Sequence, residues 1–221
     1  MSAATPTTRV VLRPIGTPLP LGFIGLLVAT VCFSAVQLRW VPPDEGHAVA
    51  LGVLVFTVPA QLVAAVFGFL ARDPVAGTGM GVLAGTWAAV TLVTLTSPPG
   101  ASSSGLGTLL LVAGLAMLVP AAAATTKLVA AGVMGLSALR FAVTGLAHLT
   151  ASAGWRTAAG WVGLALGLFA LYAALALELE DASGRTVLPV LRRGAGADVM
   201  TGGLADEVRD VAHEAGVRRQ L

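Results

Sequence analysis

Few side chains in the apolar body of this sequence can do chemistry, and Arg140 is the most informative of them. It lies inside the run VMGLSALRFAVTGLAHL, where a guanidinium can hold a carboxylate through two parallel hydrogen bonds. In a membrane, a cation at the centre of a helix costs roughly 2.5–3.5 kcal/mol, so we expect it to face a pore, a wet cavity or an acidic partner. No Asp or Glu of the spans is available to pair with it. The alternative is snorkelling toward the membrane boundary or a backbone carbonyl.

Two further polar side chains lie in apolar runs. His148 ends the run that contains Arg140, and its imidazole titrates near neutrality, so it is a candidate for proton coupling or a solvated histidine at a helix end. Gln61 lies inside another run, where its amide can bind a carboxylate or bridge two helices. The apolar body offers no paired carboxylates, no His and Cys cluster and no Ser with a base. We therefore expect no enzyme activity, no metal site and no cofactor.

The elements that carry these residues are long apolar helices. Apolar residues make up 56% of the 221 and charged residues 11%, and the mean hydropathy is +0.87, outside the usual balance of a soluble domain. The uncharged runs are long enough to cross a hydrocarbon core of roughly 30 Å, and they lack the strict alternation of barrel strands. The sequence predicts an all-α integral membrane bundle of six transmembrane helices. The predicted spans are Leu21–Leu38, Ala48–Leu70, Val75–Leu95, Leu106–Ala124, Leu128–Leu149 and Ala158–Leu177.

The distribution of Lys and Arg predicts the orientation of the bundle. With a cytoplasmic N-terminus, the other side holds only Arg39 and Arg156. The cytoplasmic side then holds ten residues: Arg9, Arg13, Arg72, Lys127, Arg185, Arg192, Arg193, Arg209, Arg218 and Arg219. We therefore expect both termini in the cytoplasm and the chain in the cytoplasmic membrane. The predicted divisions are a cytoplasmic segment at 1–19, the transmembrane domain at 20–177 and a cytoplasmic tail at 178–221.

The small net charge and the acidic residues after the last span predict the partner of the chain and the environment of those residues. The formal net charge is only +2, and the arginines lie beside the spans, so the lipid bilayer rather than nucleic acid is the expected partner. Glu178, Glu180 and Asp181 lie where the last span leaves the membrane, and we expect them to be solvated.

Glycines spaced four residues apart mark two of the spans. Gly77, Gly81 and Gly85 lie on the third span, and Gly163 and Gly167 lie on the last. Small residues at this spacing let helix backbones approach closely in lipid, although the chain is rich in Ala and Gly throughout. The contact predicted by these glycines can lie within a protomer, between protomers or along the wall of a pore.

Passages at both ends of the apolar body carry a resemblance to a known family. TPLPLGFIGLL, residues 17–27, resembles the opening motif Asn-Pro-x-Pro-Leu-Gly-Leu of the acetate uptake transporter family, also called the succinate-acetate permeases. AGWVGLALGLFALYAALALELEDASGRTVLPV, residues 159–190, is similar to that family's closing passage, which ends in Gly-Arg-Thr-Val-Leu-Pro. AQLVAA, residues 60–65, matches an Ala-Gln-x-x-Ala-Gly stretch of the second span. The similarity covers residues 17–190.

The resemblance implies a six-helix protomer with its own central pore, assembled as a hexamer. It implies transport of acetate and other short carboxylates such as succinate, either with protons or by channel-like passage. The substrate path expected from the resemblance and from Arg140 comprises Thr17, Pro18, Pro20, Leu21, Gly22, Leu26, Gln61, Ala84, Trp87, Ser137 and Arg140.

The sequence also departs from the family pattern. Thr17 replaces the opening Asn, and Gly68 replaces a Glu of the second span. Leu26, Ala84 and Ser137 stand where the family has a constriction ring of an aromatic, a Tyr and a Leu, so we expect the constriction to be wider or to be supplied by other residues. Two alternatives to carboxylate transport therefore stay open: a non-conducting membrane scaffold of the same fold, and a transporter of another small solute.

Overall fold

The computed structural model describes residues 16–193, and its architecture is an all-α bundle. The helices within these residues are α1 (Leu19–Gln37), α2 (Gly46–Leu70), α3 (Pro74–Thr96), α4 (Ser104–Ala123), α5 (Leu128–Thr150) and α6 (Ala153–Ser183), with a short 3-10 turn at Pro43–Glu45. All six are long and apolar enough to cross a membrane. The predicted fold class is confirmed. Most of the predicted N-terminal segment, and the tail beyond residue 193, lie outside the described residues.

Local capping explains where the helices begin and end. The Asp73 carboxylate accepts a hydrogen bond from the Ala76 amide at 3.0 Å and Pro74 follows it, so α3 begins there. Helix α6 is longer than the predicted span at both ends. Its first turn is capped by Ser152, and it ends at Gly184, which adopts a left-handed conformation with φ 64°. Hydropathy marks the apolar part of a helix, whereas the caps decide its ends.

The longer α6 changes the position of Arg156. The sequence placed this residue outside the spans, but it lies in the first turns of α6. It remains at the end of the bundle where the sequence predicted it, because α6 begins at that end.

The six helices form a closed ring around one interior. Each helix packs against the next in the chain, and α6 returns to pack against α1. Short connections make consecutive helices antiparallel, so the bundle has two distinct ends. We call the end where α1 begins and α6 finishes the terminal end. The opposite end, formed by the α1–α2, α3–α4 and α5–α6 connections, is called the vestibule end.

Glycines bring neighbouring helices into backbone contact. A Cβ on Gly145 of α5 would lie 2.8 Å from the carbonyl oxygen of Gly107 on α4. A Cβ on Gly68 of α2 would lie 2.5 Å from the backbone nitrogen of Gly77 on α3. The α2–α3 crossing therefore has no room for a side chain at Gly68, which is the position where the family pattern has a Glu.

The glycine stripe of α3 does not act as one packing face within the chain. A Cβ on Gly77 would lie 2.7 Å from the Phe69 ring, whereas a Cβ on Gly81 would meet only the Ala65 Cβ at 3.9 Å. Gly85 is exposed, and a Cβ there would have no heavy atom within 4 Å. On α6, a Cβ on Gly167 would lie 2.5 Å from Val31 Cγ2 of α1. A packing role for Gly85 would require a second chain.

The α4–α5 crossing gives a stability prediction. Gly145→Ala places a methyl group against the Gly107 carbonyl, which cannot move without separating the helices, at a cost of about 1–3 kcal/mol. We expect the thermal midpoint of the purified protein in detergent to fall by roughly 2–10 °C. Gly135→Ala on the same helix is the control, because nothing lies within 4 Å of its Cβ position. Equal midpoints for the two variants would contradict the described crossing.

Candidate functional site

Two connected cavities open into the bundle from the vestibule end. The outer vestibule has a volume of about 120 Å³ and is lined by the α1–α2 and α3–α4 connections and by the adjoining ends of α5 and α6. The inner chamber has a volume of about 50 Å³ and lies deeper between the helices. The residues that line both cavities are Phe33, Gln37, Thr94, Thr144 and His148. The chamber therefore lies directly against the vestibule, on its inner side.

Aromatic side chains form much of the chamber wall. Trp87 of α3 stacks on Phe33 of α1 with 5.7 Å between ring centroids, and it meets Phe141 of α5 edge-on at 5.9 Å. Val90 and Leu110 complete the apolar lining. These contacts hold the Trp87 ring from two sides, so the chamber has a rigid apolar wall.

The guanidinium of Arg140 lies on the chamber wall, held by three helices. Its Nε donates to Thr30 Oγ1 at 3.4 Å, and its Nη1 donates to Thr144 Oγ1 at 2.9 Å and to the Ala159 carbonyl at 2.6 Å. Gly163 of α6 makes room for it, since a Cβ there would lie 2.7 Å from Nε. The side chain is therefore not snorkelling to the membrane boundary, although it does bind a backbone carbonyl.

Arg140 is 2% exposed, and its hydrogen-bond partners are all neutral. The ion pairs between described residues join Lys127 to Asp73 and Arg192 to Glu180, so no described carboxylate neutralises this charge. Within the described residues, Nη2 donates no hydrogen bond. Because a buried charge without a counter-ion is strongly unfavourable, the site is suited to an anion in the chamber.

The vestibule next to the Arg140 chamber is also lined by positively charged side chains. Arg39 and Arg156 line it, and the described lining of both cavities includes no Asp or Glu. His148 lies at the junction of the cavities, where its Nδ1 accepts a hydrogen bond from the Ser103 amide at 3.3 Å. His47 bonds the Ser97 carbonyl through Nε2 at 3.0 Å. A cleft lined by one sign of charge raises the local concentration of oppositely charged solutes.

The bundle is closed between the chamber and the terminal end. Leu26, Met80 and Leu83 are fully buried there, with Leu26 about two turns along α1 from Phe33. Ala84 and Ser137 are also buried and line neither cavity, and Ser137 donates to the Val133 carbonyl at 2.8 Å. Of the two expectations for this position, the described residues do not show a wider constriction at Leu26, Ala84 and Ser137. The closure includes Met80 and Leu83, which agrees with a constriction supplied by other residues.

The remaining predicted path residues separate into different environments. Gln61 donates from Nε2 to the Gly22 carbonyl at 3.4 Å and so bridges α2 to α1. Pro20 and Gly22 are buried. Leu21 is 43% exposed and lines none of the three cavities described here. The helical period explains this, because the residue between two buried neighbours points away from the bundle.

Thr17 and Pro18 lie at the terminal end, far along α1 from the chamber. They line a third cavity of about 420 Å³, together with Asp73 and Lys127, whose charged groups pair at 2.6 Å. Thr17 also donates to the Asp181 carboxylate at 3.3 Å. Of the predicted path, the structure brings only Trp87 and Arg140 together on the chamber wall.

The passage after α6 folds back over the terminal end as a strap, residues 184–193. Glu180 accepts hydrogen bonds from Thr186 and Arg192 of the strap, and Tyr172 donates to the Pro189 carbonyl at 2.7 Å. The Arg193 amide bonds Thr126 at 3.1 Å, beside the start of α5.

Glu180 is 5% exposed, so the expectation that it is solvated is wrong. Its partners lie six and twelve residues later, in a segment without helical periodicity, and hydropathy gave no signal of the fold-back.

Comparisons with known proteins agree with this architecture. No protein-family model matches the sequence, and no curated protein matches it. Among solved structures, the bacterial acetate channel SatP superposes with a TM-score of 0.70 at 24% sequence identity. The match covers 79% of this chain and 98% of the channel.

This chain has the fold of that channel. The fold implied by the motifs at residues 17–27 and 159–190 is therefore confirmed.

The strap gives a second stability prediction. Glu180→Gln keeps the size of the side chain but removes the charge that Arg192 pairs with, at a cost of about 1.5–3 kcal/mol for a charged hydrogen bond. We expect a lower thermal midpoint and faster tryptic cleavage after Arg192 and Arg193. Glu178→Gln, at an exposed position of the same helix, should change neither. Unchanged cleavage in Glu180→Gln would show that the pair does not hold the strap.

Proposed function

We propose that this protein passes small monocarboxylates, acetate among them, across the cytoplasmic membrane. The observation that carries the proposal is Arg140, a buried guanidinium without a described counter-ion at the inner end of a positively charged, open vestibule. A carboxylate in the chamber supplies the missing charge. Arg matches carboxylate geometry well, and a charge-assisted pair is strong in a site with little water.

The size of the chamber supports a small substrate. Its volume of about 50 Å³ is several times the ~10–15 Å³ that one ordered water requires, which corresponds to a molecule of about four non-hydrogen atoms. Acetate has this size, and its methyl group would contact the rings of Phe33, Trp87 and Phe141. Succinate fits less well, because its second carboxylate would lie against an apolar wall without a partner.

The orientation and assembly complete the proposal. With both termini in the cytoplasm, the vestibule faces the outside and the terminal cavity faces the inside. Passage then requires the packed segment at Leu26, Met80 and Leu83 to open. Assembly of several copies, as a hexamer by the family resemblance, would give Gly81 and Gly85 of α3 a partner. The fold shared with an acetate channel supports this reading.

A non-conducting scaffold is the second candidate, and the packed interior at Leu26 and Leu83 favours it. The buried charge of Arg140 favours the channel instead. A scaffold has no use for a desolvated cation at the end of an open cavity, since an apolar residue would cost less.

Uptake of labelled acetate by proteoliposomes tests the proposal. Arg140→Gln should reduce uptake by roughly 10–100-fold, because it removes a charged hydrogen-bond donor worth about 1.5–3 kcal/mol. Arg185→Gln, at an exposed position that lines neither the vestibule nor the chamber, should behave as wild type. Size-exclusion profiles establish that both variants are assembled.

Two results would reject the proposal. If correctly assembled Arg140→Gln takes up acetate at the wild-type rate, Arg140 does not bind the transported anion. Absence of any carboxylate flux in the wild type would favour the scaffold.

We further propose that proton linkage acts through His148. The charged and titratable groups around it in the two cavities are Arg39, His47, Arg140 and Arg156, and no described lining residue is an Asp or Glu. The Ser103 amide donates to Nδ1, so the neutral ring carries its proton on Nε2. Uptake of a second proton must break that hydrogen bond.

An imposed pH gradient tests this role. His148→Gln should abolish the gradient-driven part of acetate uptake and leave passive exchange, whereas His47→Gln, which changes the histidine that lines only the vestibule, should keep it. Gradient-driven uptake that survives in His148→Gln would exclude this residue as the proton carrier.

A further inference from the structure

The guanidinium of Arg140 has one nitrogen whose protons are not committed to the protein. Nε donates to Thr30, and both protons of Nη1 are used, on Thr144 Oγ1 and on the Ala159 carbonyl. Within residues 16–193, Nη2 donates no hydrogen bond. Nη2 is also not among the described side-chain atoms that are both unpartnered and fully enclosed, and Arg140 lines the chamber. The free protons of Nη2 therefore reach the space of the chamber.

This arrangement sets the shape of the ligand that Arg140 can hold. Two parallel hydrogen bonds to one carboxylate need two neighbouring nitrogens with free protons, and the contacts of Nε and Nη1 leave only Nη2. A carboxylate can reach Nη2 through one of its oxygens. A spherical anion needs no more than this one nitrogen, and it has no orientational freedom to lose when it binds.

The chamber also has the size and the lining for a single ion. Its volume is about 50 Å³, and one ordered water needs ~10–15 Å³, so a halide ion, which is a little larger than water, fits inside. The described lining includes no Asp or Glu that would repel it. Trp87 and Phe141 contribute apolar wall, where an ion loses part of its hydration. Weakly hydrated bromide loses less on entry than a strongly hydrated anion does.

We propose that the chamber binds a halide ion on Nη2 of Arg140. This ion is the counter-ion of the buried guanidinium when no carboxylate occupies the chamber, because a buried charge without a partner is strongly unfavourable. A halide and a transported carboxylate then compete for one charge. The binding site follows from the contacts of Arg140, and the competition rests on the proposed function.

The thermal stability of the wild-type protein in detergent tests the binding. A ligand that binds the folded state raises its stability by mass action, so we expect the thermal midpoint to rise by about 5–10 °C at bromide 100-fold above half-saturation. Sodium gluconate at equal ionic strength is the control, because gluconate is too large for the chamber. Equal midpoints in the two salts would overturn the inference.

Tryptophan fluorescence tests the position of the ion, because bromide quenches an indole that it contacts. The chain has four tryptophans, and Phe at Trp40, Trp155 and Trp161 leaves only Trp87. Trp87 is 3% exposed, so bromide in bulk water reaches it poorly. Quenching should saturate at the bromide concentration that stabilises the protein, and adding Arg140→Gln should remove the saturable part.

Matched proteins control for quenching without a site. Arg185→Gln, at an exposed position that lines neither the vestibule nor the chamber, should keep the saturable quenching. A protein that retains only Trp161, which is 58% exposed, should show quenching that rises linearly with bromide. Linear quenching of Trp87 in the Arg140 protein would overturn the site by itself, whether or not Arg140→Gln assembles. Saturable quenching that persists in assembled Arg140→Gln would overturn the assignment to Arg140.

Acetate uptake separates this inference from the proposed function. Bromide should inhibit the uptake of labelled acetate by proteoliposomes, with the half-saturating concentration found by fluorescence. Uptake that bromide does not inhibit would overturn the competition and leave carboxylate passage standing. Saturable bromide binding in a protein that passes no carboxylate would reject the proposed function and leave the halide site.

Discussion

A single buried guanidinium sets the main constraint on this structure. Arg140 carries a full charge at the depth of the bundle, and the groups that bind it are hydroxyls and a carbonyl from α1, α5 and α6. Neutral partners orient the charge without cancelling it. The three helices must therefore meet at one level, Gly163 must lack a side chain, and the vestibule must reach this level. The ion pairs of the described residues do not include Arg140.

Backbone contact explains how a thin bundle can close around such a site. In lipid, apolar side chains gain little from leaving one apolar medium for another, so helices associate where they approach closely. The crossings at Gly107 with Gly145 and at Gly68 with Gly77 supply this approach. They close the ring on the α4–α5 and α2–α3 sides. The aromatic residues then fill the wider space on the vestibule side and form the chamber.

The two ends of the bundle differ in how they are built. The vestibule end is open and positively charged, whereas the terminal end is held by the strap through Glu180 and by the pair of Lys127 and Asp73. The charged chamber thus lies toward one end of the bundle, whereas ion pairs hold the other end together.

The sequence by itself determined that the chain lies in a lipid bilayer, how many times it crosses and that it is helical. Long uncharged runs can cross a bilayer only as helices, because each helix satisfies its own backbone hydrogen bonds. It also identified Arg140 and Trp87. Only the tertiary structure decided that Leu21 faces outward, that Glu180 is buried and that Gln37 joins the chamber. Helical rotation, a strap that folds back and the contact of α1 with α3 and α5 depend on packing between distant segments, which local composition does not specify.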